Sequence, residues 1–387
     1  MVEKKFNKRD LYTKREADLG LSGLSDRLAK EPLERIKPIL IRAARERSAG
    51  ILPYELLRTY ESKGDFYGVS SLDQKALFEF GLLFYSVLPS CFAAVEVSPI
   101  SPLGLNSVLT KLSQDVSLAT IRGSEVVSDS TTPLILECAK RRMRLLKQKS
   151  TRSSPVELAT MKRVLRLQPF DKEKGYMQHF NLFGICSAGR DHEKEAIAIN
   201  FIRDHISVWL DFIELLRSKG YIFNDVSVKL SDIRLLERVI EYFDLPREVI
   251  NRNAFNENFD FIGEYKLPLP AEVEFINEMI QNNHDKPYIT SRQSYLLAIE
   301  KRIFDPLKIK YPSVRFSFDF ARKSGLGYYD KACYHIFGSN HKGEVIQLVD
   351  GGSVDWLARI TNSNTERAVV SGFGAELIQK LFRTDHD

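Results

Sequence analysis

Two groups of residues in this chain could bind a charged small molecule and do chemistry on it. Arg166 lies within a basic stretch that includes KRRMRLLKQKSTR at 140–152 and MKRVLRLQPFDKEKGY at 161–176, and Phe180 follows it. A guanidinium holds phosphate oxygens in a fixed fork that lysine cannot copy, and an aromatic ring gives a base a flat partner. These residues predict a surface facing nucleotide or RNA phosphates, although a solvated helix face and a charged loop would read the same way. The second group is Asp319, Tyr328, Tyr329 and the pair Gly351-Gly352. Two tyrosines alone suit the core and edge of a strand. Flanked by a carboxylate and a glycine turn, they become pocket walls with hydroxyls for a polar substrate.

Other chemistries find little support. The sequence has no GxxxxGK[ST], no GxGxxG after a strand, no HExxH and no GxSxG. Its seven histidines are scattered without ligand spacing, and its four cysteines form no CxxC, so no metal site and no disulfide framework is expected. The 387 residues are 43% apolar and 28% charged, an ordinary globular balance. Net charge is only +5, yet residues 137–174 hold 12 basic and 4 acidic side chains. No apolar run reaches the roughly 20 residues of a membrane span, and the first residues lack the apolar centre of a secretory signal. A soluble, cytoplasmic protein with no membrane partner is expected.

Hydrophobic spacing supplies the elements that must position these groups. Residues 1–69 read as a basic helical extension, and 70–387 as a core with a small insertion at about 251–290. Helices are predicted over 71–88, 133–146, 192–219, 231–243, 291–304 and 376–382. Strands are predicted over 92–97, 116–122, 125–128, 163–167, 177–187, 222–230, 314–320, 332–337, 344–348 and 368–373. Strands joined as hairpins, with helices interspersed, indicate an α+β fold around a largely antiparallel sheet.

The last third, FSFDFARKSGLGYYDKACYHIFG (316–338), LVDGGSVDWLARI (348–360) and VVSGFGAELIQKLF (369–382), resembles the end of a histidyl-tRNA synthetase catalytic core. VLRLQPFDKEKGYMQHFNLFGICSAG (164–189) is similar to the second signature of class II synthetases. The resemblance implies a class II antiparallel sheet flanked by helices. It puts Arg166 on the ATP α-phosphate, Gln168 at the acidic position, Phe180 on adenine, and Gly372 and Gly374 in the third, nucleotide-binding signature. Asp129 and Thr131 would cradle an amino group, and Asp319, Tyr328, Tyr329, Gly351 and Gly352 would line the substrate pocket. It further implies ATP with Mg as cofactors and a homodimer formed through residues 71–102.

The chain also departs from that pattern. Ser324 replaces the arginine before Gly-Leu, leaving Arg322 as the nearest stand-in, and Arg166 and Arg322 are the two candidate catalytic residues. Gln379 replaces the arginine of the third signature, Glu376 a glycine, and the acid of the second strand aligns near Cys186. Missing phosphate arginines weaken transition-state stabilisation. With no anticodon-binding domain expected, the chain reads as a divergent paralogue that binds an amino acid or similar ligand in a regulatory or accessory role. The regulatory subunit of ATP phosphoribosyltransferase, which works beside a catalytic partner subunit, is such a relative. The alternatives are an ATP-dependent ligase that adenylates an amino acid or other carboxylate, and a nucleic-acid-binding protein that reuses the fold.

Overall fold

The structure is a computed structural model that describes residues 8–148, 150–168, 177–192, 196–254, 256 and 258–383. Eleven strands form two sheets: β1 (Phe92–Ala94), β2 (Ile100–Pro102), β3 (Ser124–Val126), β4 (Val156–Leu165), β5 (His179–Arg190), β6 (Asn224–Asp232), β7 (Glu272–Val273), β8 (Arg315–Asp319), β9 (Ala332–Ser339), β10 (Val345–Val354) and β11 (Glu366–Gly374). Nine run in the order β1-β4-β5-β11-β10-β9-β6-β8-β7, while β2 and β3 make a separate small sheet. The six central strands, from β4 to β6, pair antiparallel. Only β1 with β4 and β6 with β8 are parallel. The fold is therefore α+β, as the hairpin pattern predicts.

Side chains alternate across a strand, so each sheet face has its own character. On the back face, Phe183 of β5 and Phe373 of β11 meet Phe84 of the helix Gln74–Val87 and Trp209 and Phe212 of the helix Ala196–Ser218. Ring centroids there are 4.2 to 5.7 Å apart for Phe84–Phe183, Trp209–Phe373 and Phe183–Phe212. On the front face, the helix Thr131–Leu145 crosses β5 so closely that a Cβ on Gly184 would lie 2.5 Å from Ser130 Oγ. That helix is bolted down by Arg142. Its guanidinium meets Glu366 of β11 at 2.9 and 3.1 Å with both side chains fully buried.

Several basic side chains of the stretch 137–174 are spent on internal contacts. Lys140 and Arg141 pair with Glu137, Lys162 donates to the Val97 carbonyl, and Arg163 pairs with Glu376. The expected phosphate-facing loop, residues 169–176, lies outside the described residues, as does Lys149.

Two expectations change. Gly351-Gly352 is not a turn but the middle of β10, and residues 356–361 form a helix, Trp356–Thr361. A Cβ on Gly351 would lie 2.4 Å from Ser371 Cβ, and one on Gly352 2.5 Å from Cys333 Cβ. These glycines serve close strand packing rather than chain reversal. Residues 117–122 form turns with one bridge, Ala119 to Glu125, instead of a strand. Within the N-terminal stretch, the helices Leu24–Lys30, Leu33–Ala49 and Pro53–Ser62 bury no side chain. The stretch around 251–290 supplies β7 and buries Ile276, Met279 and Ile280 in the main core.

His205 sits fully buried in the back-face helix, with Ser187 Oγ at 2.9 Å from Nε2 and Ser371 Oγ at 3.0 Å from Nδ1. Burial pushes its pKa down to about 3 from an ordinary 6.5. Unfolded chains take up this proton below about pH 6.5 while the native state refuses it until about pH 3, so acidification favours unfolding across that window. The expected outcome is that His205→Gln removes up to about 1.4 kcal/mol per pH unit of acid sensitivity within it. Urea unfolding of both proteins between pH 7 and 4 reads the difference in slope.

Candidate functional site

The front face of β5, β11, β10 and β9 forms the floor of a cleft. Gly184, Gly372, Asp350 and His335 lie opposite one another in register across these strands. Gly372 presents no side chain, and a Cβ there would meet only the Phe183 carbonyl, at 3.4 Å. The floor is therefore low where it borders Asp350.

At the outer end, Arg166 leaves β4 and turns back over the sheet. Its Nε donates to the Ser128 carbonyl at 2.8 Å, its Nη2 lies 3.6 Å from Asp129 Oδ2, and its guanidinium sits 5.4 Å from the Phe180 ring centre. Asp129 precedes the helix Thr131–Leu145 and accepts from Thr131 N and Thr131 Oγ1, both at 2.7 Å. This Asx-type turn holds the carboxylate in place ahead of the helix. Tyr328 forms the wall, hydrogen-bonded to Thr131 and within electrostatic reach of Asp129, Arg166 and Asp350. Its hydroxyl is pushed well above the ordinary tyrosine range by burial.

At the inner end, one oxygen of Asp350 gathers three partners. Oδ1 accepts from Arg322 Nη2 at 2.8 Å and from Tyr329 OH at 3.0 Å, and His335 Nε2 lies 3.4 Å away. Arg322 also donates from Nε to the Ser324 carbonyl at 2.8 Å. Burial works against the Asp350 charge, but Arg322 and His335 hold its carboxyl well below the usual carboxylate range. Burial raises Asp319, partly countered by Arg322, and the same burial with Arg322 lowers His335. Beneath Arg322, burial pushes the Cys333 thiol up to about 12.

Most of the predicted site residues thus come together. Arg166, Phe180, Asp129, Thr131 and Tyr328 form one end, Asp319, Arg322 and Tyr329 the other, with Gly372 between. Four positions stand apart. Gln168 is exposed on the connection after β4, Gly351 faces Ser371 and Tyr334 on the back of the sheet, and a Cβ on Gly374 would meet Leu377. Gly352 lies against Cys333. Glu376 is tied to Arg163 at 2.7 Å, Asn181 Nδ2 at 3.0 Å and Ser70 at 3.1 Å. Because Asn181 shares a strand face with Phe183, this carboxylate belongs to the back of the sheet. Sequence reasoning missed Asp350 and His335. Their one signal was a carboxylate directly before the glycine pair in LVDGG.

A six-stranded antiparallel centre with this cleft on one face is the fold of a class II aminoacyl-tRNA synthetase catalytic core. Three solved structures that share it are a histidyl-tRNA synthetase, a histidine–tRNA ligase subunit and a regulatory subunit/histidyl-tRNA synthetase. An ATP phosphoribosyltransferase regulatory subunit/histidyl-tRNA synthetase from Bacillus halodurans matches with a TM-score of 0.57 and 14% identity over 82% of each chain. A histidyl-tRNA synthetase from Nostoc matches with a TM-score of 0.57 and 14% identity over 79% of this chain and 72% of that one. A histidine–tRNA ligase subunit from Alicyclobacillus acidocaldarius gives 0.57 and 12% over 80% and 94%. At these identities the likeness is one of fold. No protein-family model and no curated protein matches the sequence.

Replacing Arg322 by Met removes the cation that depresses Asp350. The Asp350 carboxyl is then expected to titrate higher, toward the ordinary carboxylate range, in an NMR pH titration. Losing the buried partner is also expected to cost about 1–3 kcal/mol of stability in urea.

Proposed function

We propose that this chain is a divergent paralogue of the histidyl-tRNA synthetase core that binds an amino-acid-like ligand in a regulatory or accessory role, beside a catalytic partner subunit. The observation that carries the reading is the commitment of Arg322. The guanidinium nearest in sequence to the missing phosphate arginine gives Nη2 to Asp350 and Nε to the Ser324 carbonyl, with its side chain 1% exposed. Among the described residues, Arg166 is then the arginine offered to the cleft, and it already lies beside Asp129. Such a cleft offers, among the described residues, little positive charge to orient a triphosphate but suits a zwitterion, whose ammonium and carboxylate find Asp129 and Arg166.

The ligase alternative draws on Arg166 stacked at Phe180, a pairing that would serve adenine and an α-phosphate with ATP and Mg bound. No group of three or more metal-ligating side chains occurs among the described residues. No helix among them is long and apolar enough to cross a membrane.

Pyrophosphate exchange into ATP, measured with each of the twenty amino acids, separates the two readings. The expected result is no exchange, together with a rise in Tm on adding one or more amino acids. Exchange with any amino acid, abolished by Arg166→Ala, would establish the ligase instead.

A homodimer through 71–102 belongs to the same proposal. On the outer side of the helix Gln74–Val87, Phe78 and Leu82 stand one turn apart, 57% and 68% exposed, and β1 beside it is an edge strand. Burying this stripe against a second copy would remove apolar surface from water. Analytical ultracentrifugation at micromolar concentration is expected to show a dimer that Phe78→Glu with Leu82→Glu converts to monomer. A wild-type monomer removes the claim.

A further inference from the structure

The cleft carries charge at two places, one on each side of Tyr328, and their balance differs. At the outer end Asp129 and Arg166 lie 3.6 Å apart, one carboxylate to one guanidinium. At the inner end Asp350 pairs with Arg322 at 2.8 Å, and a second carboxylate, Asp319, lies within electrostatic reach of the same guanidinium. Lys229, the next cation along the floor, is tied to Glu272 at 2.5 Å and also acts on Asp319. His335, between Lys229 and Asp350 in register, has its pKa lowered by burial and Arg322 against the opposing pull of Asp350.

Exposure separates the groups that support from the group that receives. Arg322 stands behind with a side chain 1% exposed, while the Asp350 side chain in front is 40% exposed. Arg322, Tyr329 and His335 all approach Oδ1 of Asp350, and none of these contacts uses Oδ2. Like the buried Arg322 Nη1, which also has no hydrogen-bond partner, the buried His335 Nε2 forms no hydrogen bond, although it lies 3.4 Å from Asp350 Oδ1. Buried polar atoms are seldom left unmet, so this one points to a group that arrives from outside. A nitrogen cation with several N–H groups answers both, giving one to Asp350 Oδ2 and another to His335 Nε2. The bare floor at Gly372 leaves room for the chain that carries it.

Resting on the reading of an amino-acid-like ligand, we infer that the ligand's side chain ends in a permanent cation, an ammonium or a guanidinium. Asp350 is the specificity-determining receiver. The α-ammonium and α-carboxylate stay at Asp129 and Arg166, and the aliphatic part passes Tyr328 above Gly372.

Calorimetry and thermal shift at pH 8 with lysine, ornithine, arginine, histidine, leucine and glutamate test this on the full chain. A cationic side chain is expected to bind, and Asp350→Asn to weaken that binding about tenfold or more. Asp350→Asn leaves Arg322 without its carboxylate, so Gly372→Ala provides a second variant. Its added methyl fits the fold but rises into the cleft, and it is expected to lower affinity by a similar factor without lowering the Tm of the free protein. Tightest binding by leucine or glutamate, or by histidine with its imidazole uncharged at this pH, overturns the charge assignment and leaves the ligand reading standing. Lysine or arginine bound equally well by wild type and Gly372→Ala overturns it too. If no amino acid binds, both fall.

Discussion

A buried guanidinium must be answered by a carboxylate, and the inner half of the cleft is built on that requirement. Arg322 cannot shed its proton, and leaving such a charge unpaired inside a protein costs several kcal/mol. Asp350 answers it from β10, the Ser324 carbonyl takes Nε, and Tyr329 adds its hydroxyl to the same carboxylate oxygen. The segment between β8 and β9 is pinned by these contacts. Gly325 and Gly327 take left-handed backbone there, with φ of 83° at each, and let the chain carry Tyr328 and Tyr329 into adjacent positions on the wall. The ring centroids of the two tyrosines are 4.8 Å apart and nearly perpendicular, and Tyr328 rests in turn on Trp356. One ion pair therefore sets the orientation of the residues that bound the ligand space.

The sheet makes this possible by dividing labour between its faces. The back is dry and aromatic, held by Phe84, Phe183, Trp209, Phe212 and Phe373. Among its polar groups, His205 is satisfied by Ser187 and Ser371. The front carries the polar row Asp350, His335 and Lys229, next to the glycines at 184 and 372. Glycine has two distinct uses within this one sheet. At 351 and 352 it lets strands approach, since any Cβ would strike a neighbour, whereas at 372 it leaves a gap in front of the strand.

That double use explains much of what the sequence could and could not disclose. Amphipathic spacing announced the helix Gln74–Val87, with Asp73 as its cap, and the long helix Ala196–Ser218. The hairpin of β4 and β5 and the tyrosine pair were equally legible, because their residue types and spacing are local properties. Gly351-Gly352 read as a turn because a glycine pair usually marks one, and nothing local reveals that Cys333 and Ser371 press on it from neighbouring strands. Asp350 and His335 were invisible for the same reason. Each is an unremarkable strand residue until the β9–β10 register sets them opposite one another. Arg322 was noticed, but its partner was not, so its task looked like phosphate binding.

Charge shows the same limit on a larger scale. The excess of basic residues over 137–174 suggests an open, phosphate-facing surface, yet a count of charges says nothing about which are already answered. Arg142 is sealed against Glu366, Arg163 against Glu376, and Arg166 stands beside Asp129. Each pair joins elements far apart in the chain. The first locks the helix Thr131–Leu145 to β11, and the second joins β4 to the helix Ala375–Leu381. Such arginines hold the sheet and its covering helices in the arrangement that opens the cleft. The charge of Arg142 and Arg163 is neutralised within the fold, so the recognition chemistry rests on the few groups, Arg166 among them, that face the cleft with an oxygen or nitrogen still to offer.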